Sequence, residues 1–495
     1  MSAIDGVIAA ISPSWGAKRA AARAEYERAT MAATKLRSYN AVSKGRRAGT
    51  DGWKNVNANG PTDNPSDIAE LSRRARVAHQ NNPYWVSGRR ALKGLVVGRG
   101  IRCTVIGDAR IKTVVQRAWE DWAKSKEVDV TGRLNWYGVQ SLVFGCVVDD
   151  GEALVIRRQA GSNLQLQVLS GDHLALERDG FLPGEGRILG GVEVDAYSRP
   201  VAYHLYDRHP SEGPAKVVRI PAEDVAHVYR LDRPNQLRGV SWIAPVFTRL
   251  ADWDDYEDSD LMRQKVAACL ALIYTGVSPE DQGEFEPRER IEPGMVEFMP
   301  AGTGVSTVTP PASPGLKDTA LIVHRAIANG LGITYEALTG DYSQVNFASG
   351  RLAHLQQAIS VREWQRDVMF SGLCDRVFSW FAQAYTLRRG AQNLREVLNV
   401  SALWTAQSVF MVDPATEVKA NRERVRSGFV SLSEVIREDG RDPVEVFDQL
   451  KADQDACDAR GLVLDVDARQ VSAQGQGSVN QKQDGASSGS QTQAA

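Results

Sequence analysis

The spacing of hydrophobic residues changes several times along the chain, and each change marks a different kind of predicted element. Apolar residues recur at helical spacing over residues 110–147 and again over residues 351–389, which predicts amphipathic helices. Between them, residues 151–228 consist of short β-prone runs that are separated by Gly, Pro and Asp. Such runs predict a compact, mostly antiparallel β-rich region. The strands are expected at residues 152–157, 164–169, 201–206 and 225–229.

Local start and stop signals predict the other helices. Asp67 and Glu70 have the spacing of a capping box and predict a helix that starts near Asp67 and runs toward His79. Pro83 disfavours the helical conformation in the residue before it, so it separates this helix from the next one. Gly98 and Gly100 then predict a turn into a strand. Further helices are predicted over residues 16–37, 241–274, 317–331, 415–426 and 431–437.

Polar and glycine-rich segments predict the loops. Residues 45–67 and 340–350 are rich in small and polar side chains, which is typical of turns and loops. Residues 276–316 are rich in Pro and Gly and contain strand-like pieces such as 294–298. After about residue 467 the chain is rich in Gln, Ser, Gly and Ala, which predicts a disordered tail.

Charge limits the classes of function that the chain can have. The 495 residues include 59 basic and 61 acidic side chains, for a net charge of -2. A protein that coats nucleic acid normally carries a strong positive excess, because it neutralises phosphates. The near-zero net charge therefore argues against a protein that coats nucleic acid. It leaves open a protein that handles DNA without binding its phosphates tightly.

Cysteine usage and hydropathy indicate a protein of a reducing compartment. The five cysteines are far apart and form no Cys-x-x-Cys pair, which indicates reduced thiols rather than a disulfide framework or a zinc site. The longest strongly apolar run, residues 266–274, is too short to span a bilayer. The first residues lack the basic region of a signal peptide. We therefore expect a soluble protein that is made in the cytoplasm and has no membrane partner.

One predicted helix contains a dense run of acidic residues. Six carboxylates fall within nine positions: Asp252, Asp254, Asp255, Glu257, Asp258 and Asp260. A solvated helix face is the simplest interpretation. Like charges at this density repel one another, so the run also requires nearby cations or exposure to water. Arg263 and Lys265 are candidate cations, in which case the run would lie between subunits.

The chain lacks the short motifs of common enzymes. It contains no phosphate-binding Gly-x-x-x-x-Gly-Lys-Ser/Thr loop, no His-Glu-x-x-His metal motif and no Gly-x-Ser-x-Gly nucleophile elbow. Asp341, Ser343 and His354 suggest a hydrolase, but nothing supplies an oxyanion hole, and capping or turn formation explains the first two equally well. The sequence predicts a structural or binding role, without an enzymatic activity, a cofactor or a metal.

Several unusual phrases occur together and in a fixed order. They are ARVAHQNNPY (75–84), GEALV (151–155), GVEVD followed by RPVAY (191–203), RPNQLRGVS (233–241), GLGITYEALTGDYS (330–343), and VDP (412–414) followed by Lys419 and Ala420. The ordered set resembles the lambda-type family of phage portal proteins over roughly residues 20–465. The chain departs from the family pattern after residue 346, where Phe347, Ala348 and Gly350 replace the Tyr, Ser and Ala that relatives tend to have.

The resemblance implies an α+β portal fold with wing, stem, clip and crown regions. Long helices would surround a central channel, and copies of the chain, usually about twelve in this family, would close into a ring. The implied regions are 1–66 as an N-terminal arm and loop, 67–240 as wing, 241–274 as first stem helix, 275–316 as clip, 317–338 as second stem helix, 339–350 as tunnel loop, 351–410 as wing helix, 411–466 as crown and 467–495 as disordered tail.

The resemblance also implies a site, partners and a location. The tunnel loop would expose to the DNA channel Asp341, Tyr342, Ser343, Gln344, Val345 and Asn346. The partners would be other copies of the chain, double-stranded DNA without sequence specificity, the terminase large subunit, the major capsid protein and scaffold, and head-completion or tail-connector proteins. The protein would occupy a capsid vertex of the virion and pass through the host cytoplasm during assembly.

An acidic helix suits a channel in which duplex DNA must slide. Each phosphate that the protein neutralises releases counterions and holds the DNA in place, so carboxylates that face the channel would favour sliding. The alternative assignment is another phage component, a minor capsid or head-closure protein. Such a protein would lack paired stem helices around a strand-rich clip.

Overall fold

The computed structural model describes most of the chain between residues 65 and 462. The described residues are 65–160, 163–182, 186–268, 271–275, 304–308, 315–389, 400–407 and 414–462. The helix predicted over residues 16–37, the loop predicted up to residue 64, the strand-like piece at 294–298 and the predicted tail lie outside these residues. Contacts divide the chain into one unit of residues 1–101 and 105–404 and a second unit of residues 102–104 and 405–495.

Helices and strands alternate in blocks, as expected of an α+β fold. The α-helices are α1 (Pro65–Asn81), α2 (Pro83–Val96), α3 (Ala109–Lys124), α4 (Trp136–Asp150), α5 (Phe247–Ala268), α6 (Leu316–Leu331), α7 (Tyr335–Thr339), α8 (Phe347–Trp364), α9 (Asp375–Arg389), α10 (Pro414–Arg426), α11 (Leu432–Glu438) and α12 (Pro443–Asp458). The strands are β1 (Arg102–Ile106), β2 (Glu152–Ala160), β3 (Asn163–Ser170), β4 (Gly180–Phe181), β5 (Arg187–Leu189), β6 (Val192–Val194), β7 (Pro200–Tyr206), β8 (Val217–Pro221), β9 (Val225–Tyr229), β10 (Ala271–Thr275), β11 (Gly304–Val308) and β12 (Ser401–Thr405).

The break between α1 and α2 confirms the prediction made from Pro83. Asn82 has an extended backbone, and its side-chain oxygen accepts a hydrogen bond of 2.8 Å from the backbone N–H of Trp85, which caps α2. The predicted start of α1 near Asp67 agrees with the structure to within two residues. The helix begins at Pro65, so Asp67 lies in its first turn, where a carboxylate is favourable near the positive end of the helix dipole.

The predicted β-rich region is confirmed as two antiparallel sheets. Their strand orders are β3-β2-β9 and β4-β5-β6-β7-β8, and the four predicted strands correspond to β2, β3, β7 and β9. Strands β4, β5 and β6 were not predicted, because two or three residues are too few to show an alternating pattern. Leu154, Ile156, Val192, Leu205 and Val225 belong to one buried cluster, so the two sheets share a core.

Tryptophans form the core beside the first sheet. Trp119 and Trp136 are buried, and Trp119 packs edge-to-face on Phe381 of α9 with ring centroids 5.1 Å apart. The helical spacing over residues 110–147 corresponds to two separate helices, α3 and α4. Asp129 interrupts them by accepting hydrogen bonds from the backbone N–H groups of Thr131, Arg133 and Leu134.

The helix predicted over residues 241–274 is shorter at both ends. Residues 242–246 form turns around Pro245, and α5 starts at Phe247. Residues 271–275 form strand β10, which pairs antiparallel with β11 so that Thr275 lies opposite Gly304. The β-branched and aromatic side chains of Ile273, Tyr274 and Thr275 favour a strand over a helical end.

The helix predicted over residues 317–331 is confirmed as α6. Gly332 ends it in the left-handed region, with φ of 71°. The second stem helix implied by the resemblance, 317–338, is therefore two helices, since α7 is separate. Its region name stays a prediction, as do the names of the other regions.

The helix after the polar loop starts four residues earlier than predicted, at Phe347. The Asn346 side chain accepts a hydrogen bond of 2.8 Å from the Ser349 N–H, and the Ser349 hydroxyl accepts one of 3.2 Å from the Asn346 N–H. This reciprocal capping box fixes the start. The helix continues to α9 through a π-helical stretch, Gln365–Cys374. There the Gln365 side chain donates hydrogen bonds to the carbonyls of Leu95 and Val96.

The second unit is mostly helical where it is described. The predicted helices 415–426 and 431–437 are confirmed as α10 and α11. Helix α12 was not predicted, although Asp442 and Pro443 carry its signal. Asp442 caps the Val444 N–H at 2.8 Å and accepts a second hydrogen bond from the Thr104 hydroxyl at 2.8 Å, while proline is favoured at the first helical position.

Gly239 offers a test of the close backbone packing near β2. A Cβ at Gly239 would collide with the carbonyl oxygen of Gly151, so we expect Gly239→Ala to destabilise the fold by about 1–3 kcal/mol. Gly94 on α2 is the matched control, since a Cβ there meets no atom within 4 Å. Gly94→Ala should be neutral or stabilise by up to about 1 kcal/mol. Urea unfolding of both variants measures the difference, and equal midpoints would contradict the close approach.

Candidate functional site

The polar loop between α7 and α8 has a defined turn with an exposed tip. Asp341 anchors it, because its carboxylate accepts hydrogen bonds from the Ser343 N–H at 2.9 Å and the Tyr335 hydroxyl at 3.1 Å. These hydrogen bonds hold the pKa of Asp341 below its usual range. Tyr342 is 66% exposed, and Ser343 and Gln344 are exposed beside it.

The predicted loop residues therefore have different roles. Tyr342, Ser343 and Gln344 form the exposed tip, whereas Asp341 stabilises the turn and Asn346 caps α8. Val345 is half-buried. That these residues line a DNA channel stays a prediction.

The contacts of Asp341 fit a turn better than a catalytic group. In a hydrolase triad the acid orients a histidine, whereas this carboxylate accepts hydrogen bonds from Tyr335 and from the backbone of Ser343. Of the described residues, no three or more His, Cys, Asp and Glu side chains are grouped so that they could hold a metal ion.

The acidic helix is α5, and its carboxylates include hydrogen-bonded groups and exposed groups, with Asp254 belonging to both. Asp254 accepts two hydrogen bonds from the Asn82 amide, at 2.8 and 2.9 Å, and Glu257 accepts one from the Tyr84 hydroxyl at 3.1 Å. Asp260 is buried and pairs with Arg263 at 2.7 Å. The carboxylates that lie on the exposed surface are Asp252, Asp254, Asp255 and Asp258.

An aromatic cluster joins α2, α5 and α6 beneath the anchored carboxylates. The His324 ring packs against Tyr84 at 4.3 Å and against Trp253 at 4.9 Å between centroids. Burial lowers the pKa of His324, so the ring favours its neutral form there. The phrase Asn82-Pro83-Tyr84 thus fixes α5 and α6 relative to α2.

A buried charge network, which the sequence did not predict, lies at the start of β2. Arg238 donates from Nε to both carboxylate oxygens of Glu152, at 2.8 and 2.9 Å, and the Gly239 N–H adds a hydrogen bond of 2.9 Å. His227 on β9 contacts the same carboxylate at 2.9 Å. Burial alone would raise the pKa of Glu152, but the Arg238 charge and the hydrogen bonds outweigh it and hold that pKa well below its usual range.

A second network surrounds the end of α4. Arg76 on α1 donates to Asp150 at 2.7 Å and also pairs with Asp172, while Arg89 on α2 pairs with Asp149. Burial raises the pKa of Asp150 to about 6, and the charges of Asp172 and Asp149 add to the rise while Arg76 opposes it. Three carboxylates thus share two guanidinium groups.

These networks account for three of the unusual sequence phrases. Arg76, Glu152 and Arg238 each lie in one of them. Glu152, a single acid before the apolar run 153–156, was the available signal, because charged residues are seldom buried unless they are paired. Which acid pairs with which arginine, over separations such as 86 residues between Arg238 and Glu152, could not be read from the sequence.

The sequence of the chain matches a known family over most of its length. The sequence model described as "Phage portal protein, lambda family" matches residues 46–365. The chain belongs to this family. The match contains the buried networks, the acidic helix and the polar loop, whereas α10, α11 and α12 lie beyond it. The prediction drawn from the ordered phrases is confirmed.

Individual relatives agree with the family assignment. A protein named "Probable portal protein" from Halomonas phage phiHAP-1 is 25% identical over 427 residues, which cover 78% of this chain and 80% of that protein. A chain from the neck of a native GTA particle, computed with twelvefold symmetry, has a TM-score of 0.42 at 16% identity, covering 77% of this chain and 94% of that one. An HK97 family phage portal protein from Corynebacterium diphtheriae has a TM-score of 0.29 at 13% identity, covering 69% and 96%.

The portal-family assignment rests on the sequence match, since both TM-scores lie below 0.5. Among the helices of the described segments, none is both long and apolar enough to cross a membrane.

Removal of Arg238 tests the first network. Arg238→Met leaves the buried Glu152 carboxylate without its main counter-charge, and we expect a loss of about 3–5 kcal/mol in unfolding free energy. Lys124→Met is the control, because the Lys124 and Glu120 side chains are 68% and 44% exposed, and an exposed pair contributes about 1 kcal/mol or less. Urea unfolding distinguishes them, and similar losses in both variants would contradict a special role for Glu152.

The pH dependence of stability tests the second network. The pKa of Asp150 is about 6 in the folded chain against an ordinary value of 3.8. As pH falls from 7 to 5, Asp150 therefore becomes protonated in the folded chain while it stays ionised in the unfolded chain. The contribution of Asp150 to stability then improves by about 1 kcal/mol. Asp150→Asn lacks this proton, so the stability of the variant relative to the natural chain should fall by that amount. Urea unfolding at both pH values measures it, and a difference that does not change with pH would refute the assignment.

Proposed function

We propose that the chain is the subunit of a portal ring at one vertex of a phage capsid, through which DNA enters during packaging and leaves during ejection. The match of the family over residues 46–365 carries this proposal. The ring is expected to contain about twelve copies, as is usual for the family. The role is structural rather than catalytic.

The helices on either side of the clip region support this proposal over a minor capsid or head-closure protein. Helices α5 and α6 flank the antiparallel pair of β10 and β11. This is the expected arrangement of two stem helices around a strand-bearing clip. The clip would dock the terminase large subunit first and the head-completion or tail-connector proteins later, and the capsid and scaffold would contact other surfaces of the ring.

Two features suit the passage of DNA without tight binding. The loop tip at Tyr342, Ser343 and Gln344 is polar and exposed but contains no cation, so it can touch a duplex without neutralising phosphates. The exposed carboxylates of α5 would repel the phosphate backbone where they face the channel. Because neutralised phosphates hold DNA in place, both features favour sliding.

The protein is proposed to reside in the virion at the capsid vertex and in the host cytoplasm during assembly. Its proposed partners are the other copies of the chain, the capsid and connector proteins, the terminase and the duplex DNA that it conducts. Recognition of that DNA would depend on shape and charge rather than on base sequence.

Negative-stain imaging together with mass measurement on the same purified sample tests the proposal. We expect rings of about twelve subunits with a hole wide enough for a duplex, which is about 20 Å across. Ser343→Ala should form the same rings, whereas a hydrolase that used Ser343 would lose turnover. A uniform monomer or dimer, even when concentrated or supplied with scaffold protein, would contradict the portal function.

A further inference from the structure

Helix α8 exposes an apolar stripe to solvent. Leu352, Leu355 and Ile359 are 70%, 56% and 69% exposed, and Ala348 is exposed at the start of the same stripe. Their spacing alternates between four and three residues, which is the spacing of a coiled-coil seam. Monomeric proteins rarely leave a continuous apolar face uncovered, so the stripe indicates a docking surface.

The stripe becomes basic towards the end of α8. Arg362 and Arg366 continue the same spacing after Ile359 and are exposed, and Arg366 also pairs with its neighbour Asp367 at 2.6 Å. A complementary helix must therefore be apolar opposite the first half of the stripe and acidic opposite the second half. Duplex DNA would satisfy the arginines but would leave Leu352 and Leu355 without an apolar partner.

Helix α5 of the same chain has the complementary pattern in the opposite direction. Its exposed residues Ala251, Asp255, Asp258, Met262 and Lys265 repeat at the same alternating spacing. The first half of this row is acidic, whereas Met262 in the second half is 60% exposed, with Leu261 beside it at 52%.

When the helices run antiparallel, the two rows come into one register. Met262 then lies opposite Leu355, and Asp255 lies opposite Arg362. Asp258 lies opposite Ile359, one turn from Arg362, and Ala251 lies opposite Arg366. Lys265 lies opposite Leu352, where its aliphatic stem can cover the leucine while its ammonium group stays in water.

We propose that α5 of one copy packs antiparallel on α8 of the next copy, in the register that pairs Met262 with Leu355 and Asp255 with Arg362. The two surfaces are different parts of one chain, so the contact is head-to-tail and repeats from copy to copy, and it closes into a ring when the rotation permits. The inference rests on the proposed function, because it names the contact that assembles the portal ring.

A cysteine pair tests the register. In chains that contain both Met262→Cys and Leu355→Cys, mild oxidation of the assembled protein should produce a ladder of covalent oligomers on a denaturing gel. The control pair is Met262→Cys with Leu387→Cys, because Leu387 is 69% exposed on α9, beyond the stripe. The natural chain sets the background from its own cysteines. If rings form but the test pair cross-links no better than the control pair, the inference is overturned and the portal function is not.

A charge exchange tests the pairing of the basic and acidic halves. Asp255→Lys with Asp258→Lys, and separately Arg362→Glu with Arg366→Glu, should each raise the protein concentration needed for ring formation by about tenfold at low salt, because like charges would meet. The four changes combined should restore assembly. Lys124→Glu, at a lysine whose side chain is 68% exposed on α3, is the control and should assemble normally.

Sedimentation velocity measures assembly, and circular dichroism checks that each variant is folded. Failure of the combined variant to assemble better than either parent would overturn the pairing. Normal assembly of the Arg362 and Arg366 variant together with weaker binding of a short DNA duplex would also overturn it, since the arginines would then contact DNA. If the natural chain forms no ring at all, the proposed function fails together with the inference.

Discussion

The carboxylate of Glu152 is the point on which the first unit depends. It receives hydrogen bonds from Arg238 and the Gly239 backbone and contacts His227 on β9. A buried ion pair stabilises little relative to an apolar replacement, but the removal of one partner leaves an uncompensated charge in the interior. Because of this asymmetry, β2, β9 and the segment leading to α5 can adopt only the arrangement in which Arg238, the Gly239 N–H and His227 all reach the Glu152 carboxylate.

The need to pair the buried Glu152 carboxylate also explains the glycines around it. A side chain at Gly171 would meet the Glu152 carboxylate, and one at Gly239 would meet the backbone of Gly151. The backbone can approach the charge closely only where no Cβ intervenes. The charge network, the glycines and the sequence phrases that contain them are therefore one structural unit, although they are far apart in the chain.

Local signals in the sequence predicted most of the elements, and long-range pairings account for what it did not predict. Pro83, Gly98 and Gly332 mark boundaries that depend only on neighbouring residues, and the structure has turns or helix ends at each of them. Strand β10 was predicted as the end of a helix because its partner, β11, is about 30 residues away. The start of α8 depends on a reciprocal cap between Asn346 and Ser349. The two residues are close in sequence, so this signal was local, but the segment was predicted as a loop. For the loop and the acidic helix, the sequence identified the residues but not their contacts, such as Asp254 with Asn82.

The pairing of Thr275 with Gly304 affects which insertions and deletions such a protein can tolerate during evolution. These residues end β10 and begin β11, so the two ends of the connection between the strands are adjacent. Because lengthening a loop between fixed ends adds only a small entropic penalty, this segment can be exchanged, shortened or enlarged while α5 and α6 keep their places. If this connection is the proposed clip, selection can adapt it to new partners independently of α5 and α6.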